Sequence, residues 1–270
     1  MLGDAVPDWT KFPTWNLVLP PNRPPQWYVT LAESVLLRSR SEEHRTLVLG
    51  STPELLDLTA RLRIATVVVE KSPEFYKQVL PLRAFPAAEE LITGDWIDVL
   101  SETREQYSVV LSDLTWGNVP YQYQQAFSSA VSDRLAPNGV LLDRVLINEI
   151  GMKPISELIQ KFEHRVINLQ TLNDFNAEFL FTSELVEENG LVDSSRILAQ
   201  LEVLLEGHPN CLKLLSEVQS ITPQGHTWYY GKKWLEVREA YFPDLKRRFR
   251  HESPPDDAYH RFVVAFEMCR

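Results

Sequence analysis

The chain has 270 residues, 44% of them hydrophobic and 24% charged, and its formal net charge at pH 7 is −10. These values are typical of a globular protein with a sizeable core, and the acidic surplus argues against a partner rich in phosphate, whether nucleic acid or anionic membrane. The two cysteines, Cys211 and Cys269, lie far apart and no CxxC or HExxH motif occurs, so we expect neither a disulfide framework nor a metal site.

Residues 1–26 are rich in proline and tryptophan and end in LPPNRPPQ. Because proline interrupts regular structure, this segment is predicted to be an arm that lies on the domain. The first residues, MLGDAVPDWTKF, contain neither a basic segment nor an apolar run, so we expect a cytoplasmic protein that crosses no membrane. From Trp27 to about Arg40, apolar residues at helical spacing predict the first helix.

The stretch TLVLGSTPELLDLTARLRIATVVVEKSP, residues 46–73, has the order strand, tight turn, helix, strand. Its first apolar run ends at Gly50. Its second, the β-branched run Ala65–Val69, is typical of a parallel strand buried on both faces, and it ends at Glu70. This order predicts a nucleotide-binding βαβ unit, although the turn has one glycine where such units normally have two or three.

The turn after the first strand has the chemistry of a helix start. Thr52 is suited to cap the helix, Pro53 to its first position and Glu54 to its positive end. Gly50 allows a ligand to approach the backbone closely. The amides that open the helix, beginning with Ser51, would suit a bound carboxylate.

The alternation of strands and helices continues through the next 75 or so residues, and the helix-start chemistry recurs at residues 72–74. The further predicted elements are a helix at Phe75–Leu80, a weak strand at Leu91–Thr93, a strong strand at Tyr107–Leu111, a helix at Tyr121–Leu135 and a strand at Val140–Ile147. Such alternation indicates a parallel sheet with right-handed crossovers. Ligands of these sheets bind at the carboxyl ends of the strands, which here carry Gly50, Glu70, Asp95 and Asp113.

This arrangement resembles the class I S-adenosylmethionine (SAM)-dependent methyltransferases over about residues 46–147 and 245–268. In that family the second strand ends in an acid that grips both ribose hydroxyls. The resemblance implies this role for Glu70, which lies 20 residues after Gly50. It also implies that Asp95, the acid of a Gly-Asp pair after the third strand, meets the adenine amino group.

The fourth and fifth strands add to the resemblance, and the first turn departs from it. Residues 113–116 match the family's loop that faces the methyl group, and residues 135–139 match its Leu-x-Pro-x-Gly turn. The usual D/E-x-G-x-G-x-G is absent, because Val48 stands where the acid should be and Gly50 is the only glycine. The Gly-x-Thr-Pro-Glu version resembles a sub-branch of the family, and Glu54 is a candidate for the missing anion near the cofactor's ammonium.

The resemblance implies SAM as cofactor, with S-adenosylhomocysteine (SAH) as product. The implied cofactor-binding residues are Gly50, Ser51, Thr52, Glu54, Glu70, Lys71, Asp95, Trp96, Asp113 and Leu114. SAM has no phosphates, so a turn with one glycine and a well-capped helix would hold its amino-acid end. A nicotinamide dinucleotide site uses a similar acid at a similar distance, but it requires G-x-G-x-x-G and does not explain the Gly-Asp pair.

The C-terminal residues predict a β-hairpin, with strands at 245–251 and 259–268 around a proline-rich turn. An antiparallel pair of this kind ends the methyltransferase sheet and is not usual in dinucleotide-binding sheets. The first strand also carries the one possible basic patch, formed by Lys246, Arg247, Arg248 and Arg250.

Residues 150–242 do not continue the alternation and are predicted to form a helical cap over the acceptor pocket. Helices are expected at Pro154–Phe162, Ser194–Leu205 and Cys211–Val218, a short strand at His164–Leu169, and either type of element at Asn176–Leu180. The fold class is therefore α/β, a Rossmann-like methyltransferase sheet with an inserted cap. Its predicted parts are an arm and helix (1–40), a SAM-binding core (41–150), the cap (151–242) and the hairpin (243–270).

The segment GHTWYYG, residues 225–231, is the most distinctive part of the cap. Three aromatics and a histidine between glycines suit a loop that closes on a flat or apolar acceptor, although aromatics packing the cap onto the sheet would give the same pattern. An oxygen nucleophile often needs a general base, for which Asp113 and His226 are the catalytic candidates and His251 is a third.

The sequence thus predicts a SAM-dependent methyltransferase that transfers a methyl group to oxygen or nitrogen of a small molecule, without a nucleic-acid or membrane partner. Two alternatives stay open. One is a methyltransferase-like protein that decarboxylates, cleaves or senses SAM, which the altered first turn favours. The other is a non-enzymatic interaction module that uses the aromatic loop and the proline-rich arm as its surface.

Overall fold

The computed structural model describes residues 15–43, 45–147, 149, 151–222, 225–229, 240–242, 244–257, 259–260 and 262–270. The start of the predicted arm, the end of the aromatic loop (Tyr230 and Gly231) and the side chains of Arg247 and Arg248 lie outside this description. The fourth member of the predicted basic patch, Arg250, pairs with Glu149 at 2.7 Å.

Helices and strands alternate through the first half of the described chain, as the sequence predicts. The helices are α1 Gln26–Arg38, α2 Pro53–Arg61, α3 Pro73–Val79, α4 Trp96–Glu102, α5 Gln124–Arg134, α6 Ile155–Phe162, α7 Leu169–Phe181, α8 Ser194–Leu204 and α9 Pro209–Ile221. The strands are β1 Arg45–Leu49, β2 Thr66–Glu70, β3 Glu90–Thr93, β4 Tyr107–Asp113, β5 Leu135–Leu146, β6 Leu191–Asp193, β7 Thr227–Tyr229, β8 Lys246–Glu252 and β9 Val263–Cys269.

Seven of these strands form one sheet in the order β3-β2-β1-β4-β5-β9-β8. The first five are parallel, whereas β9 runs antiparallel to both β5 and β8. The order changes direction between β1 and β4, and the carboxyl ends of these two strands therefore flank a crevice of the kind that binds ligands in open α/β sheets. The predicted α/β class, with its parallel sheet and C-terminal antiparallel hairpin, is confirmed.

Helices cover both faces of the sheet because its strands are apolar on both faces. Successive side chains of a strand point to opposite faces. In β1, Leu47 packs in the core with Phe127 of α5, whereas Val48 packs in the core with Tyr28 of α1 and Leu55 of α2. The sheet is thereby packed between two layers of helices, which fix the position of its carboxyl edge.

The described residues between β5 and the hairpin, in the segment predicted to be the cap, include α6–α9 and a two-stranded sheet of β6 and β7. Their own core contains the stacked rings of Phe175 and Phe179, 4.2 Å apart, and it extends to Leu114 and Leu146 at the carboxyl edge of the large sheet. None of the helices in the described part of the chain is long and apolar enough to cross a membrane.

The predicted strand at His164–Leu169 is wrong. Residues 163–168 contain a turn and irregular structure but no strand, and α7 begins at Leu169. Asn168 caps this helix by accepting a hydrogen bond from the Thr171 amide at 2.9 Å. The ambiguous segment at Asn176–Leu180 is helical, as part of α7.

Other boundaries also differ from the prediction, among them those on either side of α5. The helix expected at Tyr121–Leu135 begins with a 3₁₀ turn at Tyr121–Tyr123, and α5 starts only at Gln124. The fifth strand starts earlier than expected, since Leu135 already pairs with Tyr107 before the register shifts. The Pro-Asn-Gly turn that stops the helix is thus an irregularity inside β5, with Asn138 in the left-handed region (φ 64°).

Candidate functional site

A cavity of about 460 Å³ lies at the carboxyl ends of the central strands. Its walls come from three parts of the chain. They are the strand-to-helix loops of the sheet, the N-terminal segment that includes Trp15, and the predicted cap, residues 151–242. Pockets of this size bind small molecules and cofactors. Of the implied cofactor-binding residues, the cavity lining contains Gly50, Ser51, Thr52, Glu70, Lys71, Asp95, Trp96, Asp113 and Leu114, and it does not contain Glu54.

The turn after β1 is built around Gly50. This residue has φ 88°, a conformation that side chains other than glycine rarely adopt, and its amide donates to the Val69 carbonyl at 2.9 Å. A Cβ at this position would lie 3.8 Å from the ring of Trp96, which also lines the cavity. This single glycine therefore exposes the backbone to the cavity, as repeated glycines do in phosphate-binding turns.

The Glu70 carboxylate lies beside this turn at the end of β2. One oxygen accepts from the Ser51 amide at 3.0 Å and the other from the Ser72 amide at 2.8 Å. Burial raises the pKa of Glu70, and the bonds from the two amides oppose part of that shift. Each carboxylate oxygen has two lone pairs, so each can accept one more hydrogen bond from a ligand. This carboxylate is oriented by the backbone and retains the capacity to bind a diol.

The loop after β3 supplies a second acid and an aromatic ring. Asp95 caps α4 by accepting from the Ile97 amide at 3.0 Å, and it pairs with Lys71 at 3.2 Å. The indole of Trp96 donates to the Val69 carbonyl at 2.9 Å. This bond fixes the ring between the first turn and the third strand, where a flat ligand group can lie against it.

The structure does not place Glu54, the anion that the sequence led us to expect near the ligand, among the residues that line the cavity. Its carboxylate accepts from the indole of Trp15 at 3.1 Å and forms an ion pair with Arg23. Both partners belong to the N-terminal segment, 39 and 31 residues away. The acid at the start of α2 therefore anchors that segment, which in turn places Trp15 in the cavity wall.

Thr52 and Asp113 meet at the floor of the cavity. Thr52 stands at the N-cap position of α2, but its hydroxyl makes no capping bond and instead donates to Asp113 at 3.4 Å. The other oxygen of Asp113 is paired with Arg144, whose side chain is fully buried. Arg144 also donates to the Pro21 carbonyl at 2.6 Å. Asp113 is thus held in an ion pair that links β4, β5 and the N-terminal segment.

Leu114, directly after Asp113, adopts a left-handed conformation (φ 56°). Such a conformation is strained for a branched side chain and is concentrated at functional sites. It turns the chain into a short 3₁₀ helix, Thr115–Asn118. Asn118 donates through its amide nitrogen to the Leu114 carbonyl at 3.1 Å, which leaves its amide oxygen facing His226 at 2.8 Å.

His226 is buried in the cavity wall and is neutral at physiological pH. Burial lowers the pKa of His226 to about 4. Because the Asn118 oxygen is an acceptor, the facing Nε2 of the neutral ring carries the proton and donates. The backbone carbonyl of His226 accepts from the Ser194 amide at 3.1 Å, so the start of α8 also holds this residue in place.

The aromatic loop contributes directly to the site. Trp228 packs edge-on against Phe181 (5.4 Å) and His226 (4.5 Å), and Tyr229 against Tyr121 (4.3 Å). The two aromatic residues of this loop that the structure describes both line the cavity and connect the cap to the sheet loops. The binding interpretation and the packing interpretation of this segment therefore apply to the same two side chains, Trp228 and Tyr229.

The third candidate base, His251, is not brought to the site. It lies on β8 at 30% side-chain exposure, with its Nε2 3.5 Å from Glu267 of β9. The described residues contain no group of three or more His, Cys, Asp or Glu that could hold a metal ion.

Several lining residues were not found from the sequence. They are Trp15, Phe75, Asn118, Tyr123, Asn176 and Thr222. Half of them, Trp15, Asn176 and Thr222, come from the N-terminal segment and the cap, whose position relative to the sheet is set by tertiary contacts and carries no local signal. Phe75 alone had a usable signal, because it follows the helix-start residues after Glu70.

No protein-family model matches the chain, and no curated protein sequence matches it. Solved structures do. The N-methyltransferase NodS from Bradyrhizobium japonicum, in complex with SAH, is 11% identical and aligns over 95% of this chain and 91% of its own, with a TM-score of 0.51. A SAM-dependent methyltransferase from Clostridium acetobutylicum is 9% identical over 90% of each chain, with a TM-score of 0.51.

A third structure, from Rhodobacter sphaeroides and provisionally named a Zn-dependent alcohol dehydrogenase, is 11% identical over 95% of this chain and 96% of its own. Its TM-score is 0.57. Likeness at these identities concerns the fold alone. It confirms that the chain has a Rossmann-like fold of the methyltransferase type.

Proposed function

We propose that this protein is a SAM-dependent methyltransferase that acts on a small-molecule acceptor. The observation that carries the proposal is the contact between the Gly50 turn and Glu70. The Ser51 amide, which follows the one left-handed glycine of the turn, holds the carboxylate that ends the next strand at 3.0 Å. A glycine turn and an acid fixed in one cavity are what an adenosine with a ribose diol requires.

The residues present fit SAM in their chemistry. Glu70 would accept from the ribose hydroxyls, Trp96 would lie against the adenine ring, and Asp95, which also lines the cavity, would accept from the adenine amino group. Asp113, with Thr52 bonded to it, would take the role expected of Glu54, because it is a carboxylate that lines the cavity near the Gly50 turn. When bound, SAM supplies an electrophilic methyl group, which a nucleophilic oxygen or nitrogen of the acceptor receives.

The chain's own contribution is to bind, orient and exclude water. The cap closes the cavity with Phe181 and Trp228, and the N-terminal segment closes it with Trp15. Such a wall would exclude water and orient the acceptor toward the methyl group, and both effects favour a displacement reaction. His226 is neutral and is hydrogen-bonded to Asn118, and it is the proposed partner of the acceptor's reacting group. Asp113 orients the Thr52 hydroxyl at the bottom of the cavity.

Calorimetric titration with SAH tests the cofactor assignment. Wild-type protein should bind SAH, and Glu70→Ala should weaken binding by about 1–3 kcal/mol, since hydrogen bonds to a charged group are lost. Glu74→Ala is the matched control, because it removes an exposed acid four residues away that does not line the cavity. Equal affinities of wild type and Glu70→Ala would contradict the proposed site.

Transfer of a labelled methyl group from SAM then separates the proposed activity from its alternative. Label recovered on an added acceptor supports methyl transfer. Binding of SAH without transfer to any acceptor of a diverse set would instead favour a SAM-binding protein with another chemistry or a sensing role, the alternative that the altered first turn allows.

A further inference from the structure

Two of the cavity's walls, those formed by the sheet and by the cap, differ in electrostatic character. The charged side chains among its described lining residues all lie at or just after the carboxyl ends of strands of the large sheet, on what is here called the sheet wall. They are Glu70, Lys71, Asp95 and Asp113. The wall that comes from the cap, here called the cap wall, contains Asn176, Phe181, Thr222, His226, Trp228 and Tyr229, together with Gly225 and Thr227. Within the part of the lining that the structure describes, the cap provides no carboxylate, ammonium or guanidinium group.

The charges of the sheet wall already have partners. Asp95 pairs with Lys71 at 3.2 Å, and Asp113 pairs with the buried Arg144. Glu70 accepts from two backbone amides and is assigned to the ribose. A charged acceptor would therefore meet no counter-charge on the described cap wall, and burying a charge without a partner is strongly unfavourable.

The histidine of the cap wall, His226, does not supply a counter-charge for a charged acceptor. His226 is 8% exposed, and its ring lies edge-on to Trp228 and faces the amide oxygen of Asn118 rather than an acid. The lowered pKa of His226 agrees with this environment. The imidazole is therefore uncharged over the physiological range of pH.

The remaining groups of the cap wall define what it recognises. Phe181 and Trp228 provide aromatic surface, which favours a flat apolar ring. The amide of Asn176 accepts from the Thr222 hydroxyl at 3.3 Å. A side-chain amide has two donors and two lone pairs, so most of its capacity is available to a ligand hydroxyl, carbonyl or ring nitrogen.

We propose that the acceptor bound against the cap wall is an uncharged, planar aromatic molecule with a neutral hydrogen-bonding group, such as a phenolic hydroxyl. This inference rests on the proposed function for the identity of the acceptor site. It follows from the uncharged aromatic lining of the cap wall and from the prior pairing of the sheet-wall charges.

Three probes that differ in charge on the same ring system test it: 2-naphthol, 2-naphthoate and 2-naphthylmethylammonium. Their dissociation constants are measured at pH 7 on the full chain by saturation-transfer NMR, with and without SAH. The neutral probe should bind at least tenfold more tightly than either charged probe. Equal or tighter binding of the carboxylate or of the ammonium overturns the inference.

Asn176→Asp introduces one charge into the cap wall with little change in shape. The ammonium probe should then gain at least fivefold in affinity and 2-naphthol should lose affinity, whereas Gln200→Glu, the same kind of change at an exposed position of α8, should leave the order unchanged. If the three probes keep the same order of affinity in Asn176→Asp, the inference is overturned. If that variant does not fold, the wild-type comparison still decides.

SAH titration separates this inference from the proposed function. Loss of the preference for 2-naphthol in a protein that binds SAH overturns the inference alone. Retention of the preference in a protein that does not bind SAH overturns the proposed function and leaves the neutral aromatic site standing.

Discussion

Gly50 and Gly207 adopt nearly the same left-handed backbone conformation, with φ values of 88° and 87°. Their surroundings differ, because Gly50 lines the cavity, whereas a Cβ added at Gly207, between α8 and α9, would meet no described atom within 4 Å. Alanine at either position incurs the same backbone strain, about 1–2 kcal/mol. The pair therefore separates the conformational role of glycine from its role at a ligand.

We expect Gly50→Ala and Gly207→Ala to lower the free energy of unfolding by similar amounts and only Gly50→Ala to weaken SAH binding. Urea denaturation and calorimetry on the two variants provide the comparison. Normal SAH affinity in Gly50→Ala would show that the cofactor does not lie against this turn, and the cofactor site would have to be moved elsewhere in the cavity.

His226 should make folding stability depend on pH. Its pKa is about 4 in the folded protein and 6.5 without burial, so the unfolded chain binds the proton more tightly. Stability from this group is complete above pH 6.5 and is lost as the pH falls toward 4. Between about pH 7 and pH 4.5 the loss should be about 2–3 kcal/mol.

The measurement compares urea denaturation of wild type and His226→Gln at both pH values. The glutamine variant keeps a donor toward Asn118 and lacks the titrating ring, so its stability should fall less over the same range. His164→Gln, at an exposed position, should follow wild type. Parallel curves for wild type and His226→Gln would refute the assignment of a buried neutral imidazole.

At the scale of single elements, α2 and α3 start with the same chemistry and use it differently. In both helices proline occupies the first position and an acid the second. Ser72 caps α3 through its side chain, and Glu74 is exposed. In α2 the Thr52 hydroxyl turns to Asp113, and Glu54 holds Trp15 and Arg23. The sequence predicts both helix starts, but the partners of Glu54 are distant in the chain and give no local signal.

The same distinction explains which elements were predicted correctly. Strand β2 is apolar over most of its length and buried throughout, so its type could be read from five residues. Helix α7 could not, because its buried positions include Phe175, Ala177 and Phe179, which are spaced by two as in a strand. This helix is buried on several sides, against α6, α9 and the N-terminal segment, so its pattern lacks the single apolar face that identifies a surface helix.

Glu54→Gln should release the N-terminal segment from the domain. The ion pair with Arg23 is partly exposed, so we expect a loss of stability of only about 1 kcal/mol. The larger effect should be local, with amide exchange of residues 15–23 roughly fivefold faster by mass spectrometry, as local opening becomes easier. Glu74→Gln, the same change at the corresponding position of α3, should leave that exchange rate unaltered. An unchanged rate in Glu54→Gln would show that other contacts, such as Asn173 to the Leu19 amide, hold the segment alone.

At the scale of the whole molecule, the residues that line the cavity lie at the carboxyl edge of the sheet, whereas the described residues of the outer strand β8 take no part in the lining. The loops at the carboxyl edge, the N-terminal segment and the cap all converge on the cavity, and the core of the cap reaches the sheet through Leu114 at the end of β4. The hairpin of β8 and β9 lies at the far side of the sheet from β3. Ligand binding at the carboxyl edge should therefore tie the cap and the sheet together without reaching the outer strand.

SAH binding should change hydrogen exchange in a pattern that follows this division. Residues 49–52, 113–120 and 225–229, which come from the sheet loops and the cap, should gain protection together, because all three line the cavity. The edge strand β8 should not change, since its described residues do not contribute to the lining. At about 100 times the dissociation constant the ligand should also stabilise the protein by about 2.7 kcal/mol, visible as a higher melting temperature. Protection confined to 49–52, with none at 225–229, would mean that the cap does not close on the cofactor site, and the acceptor would have to bind without it.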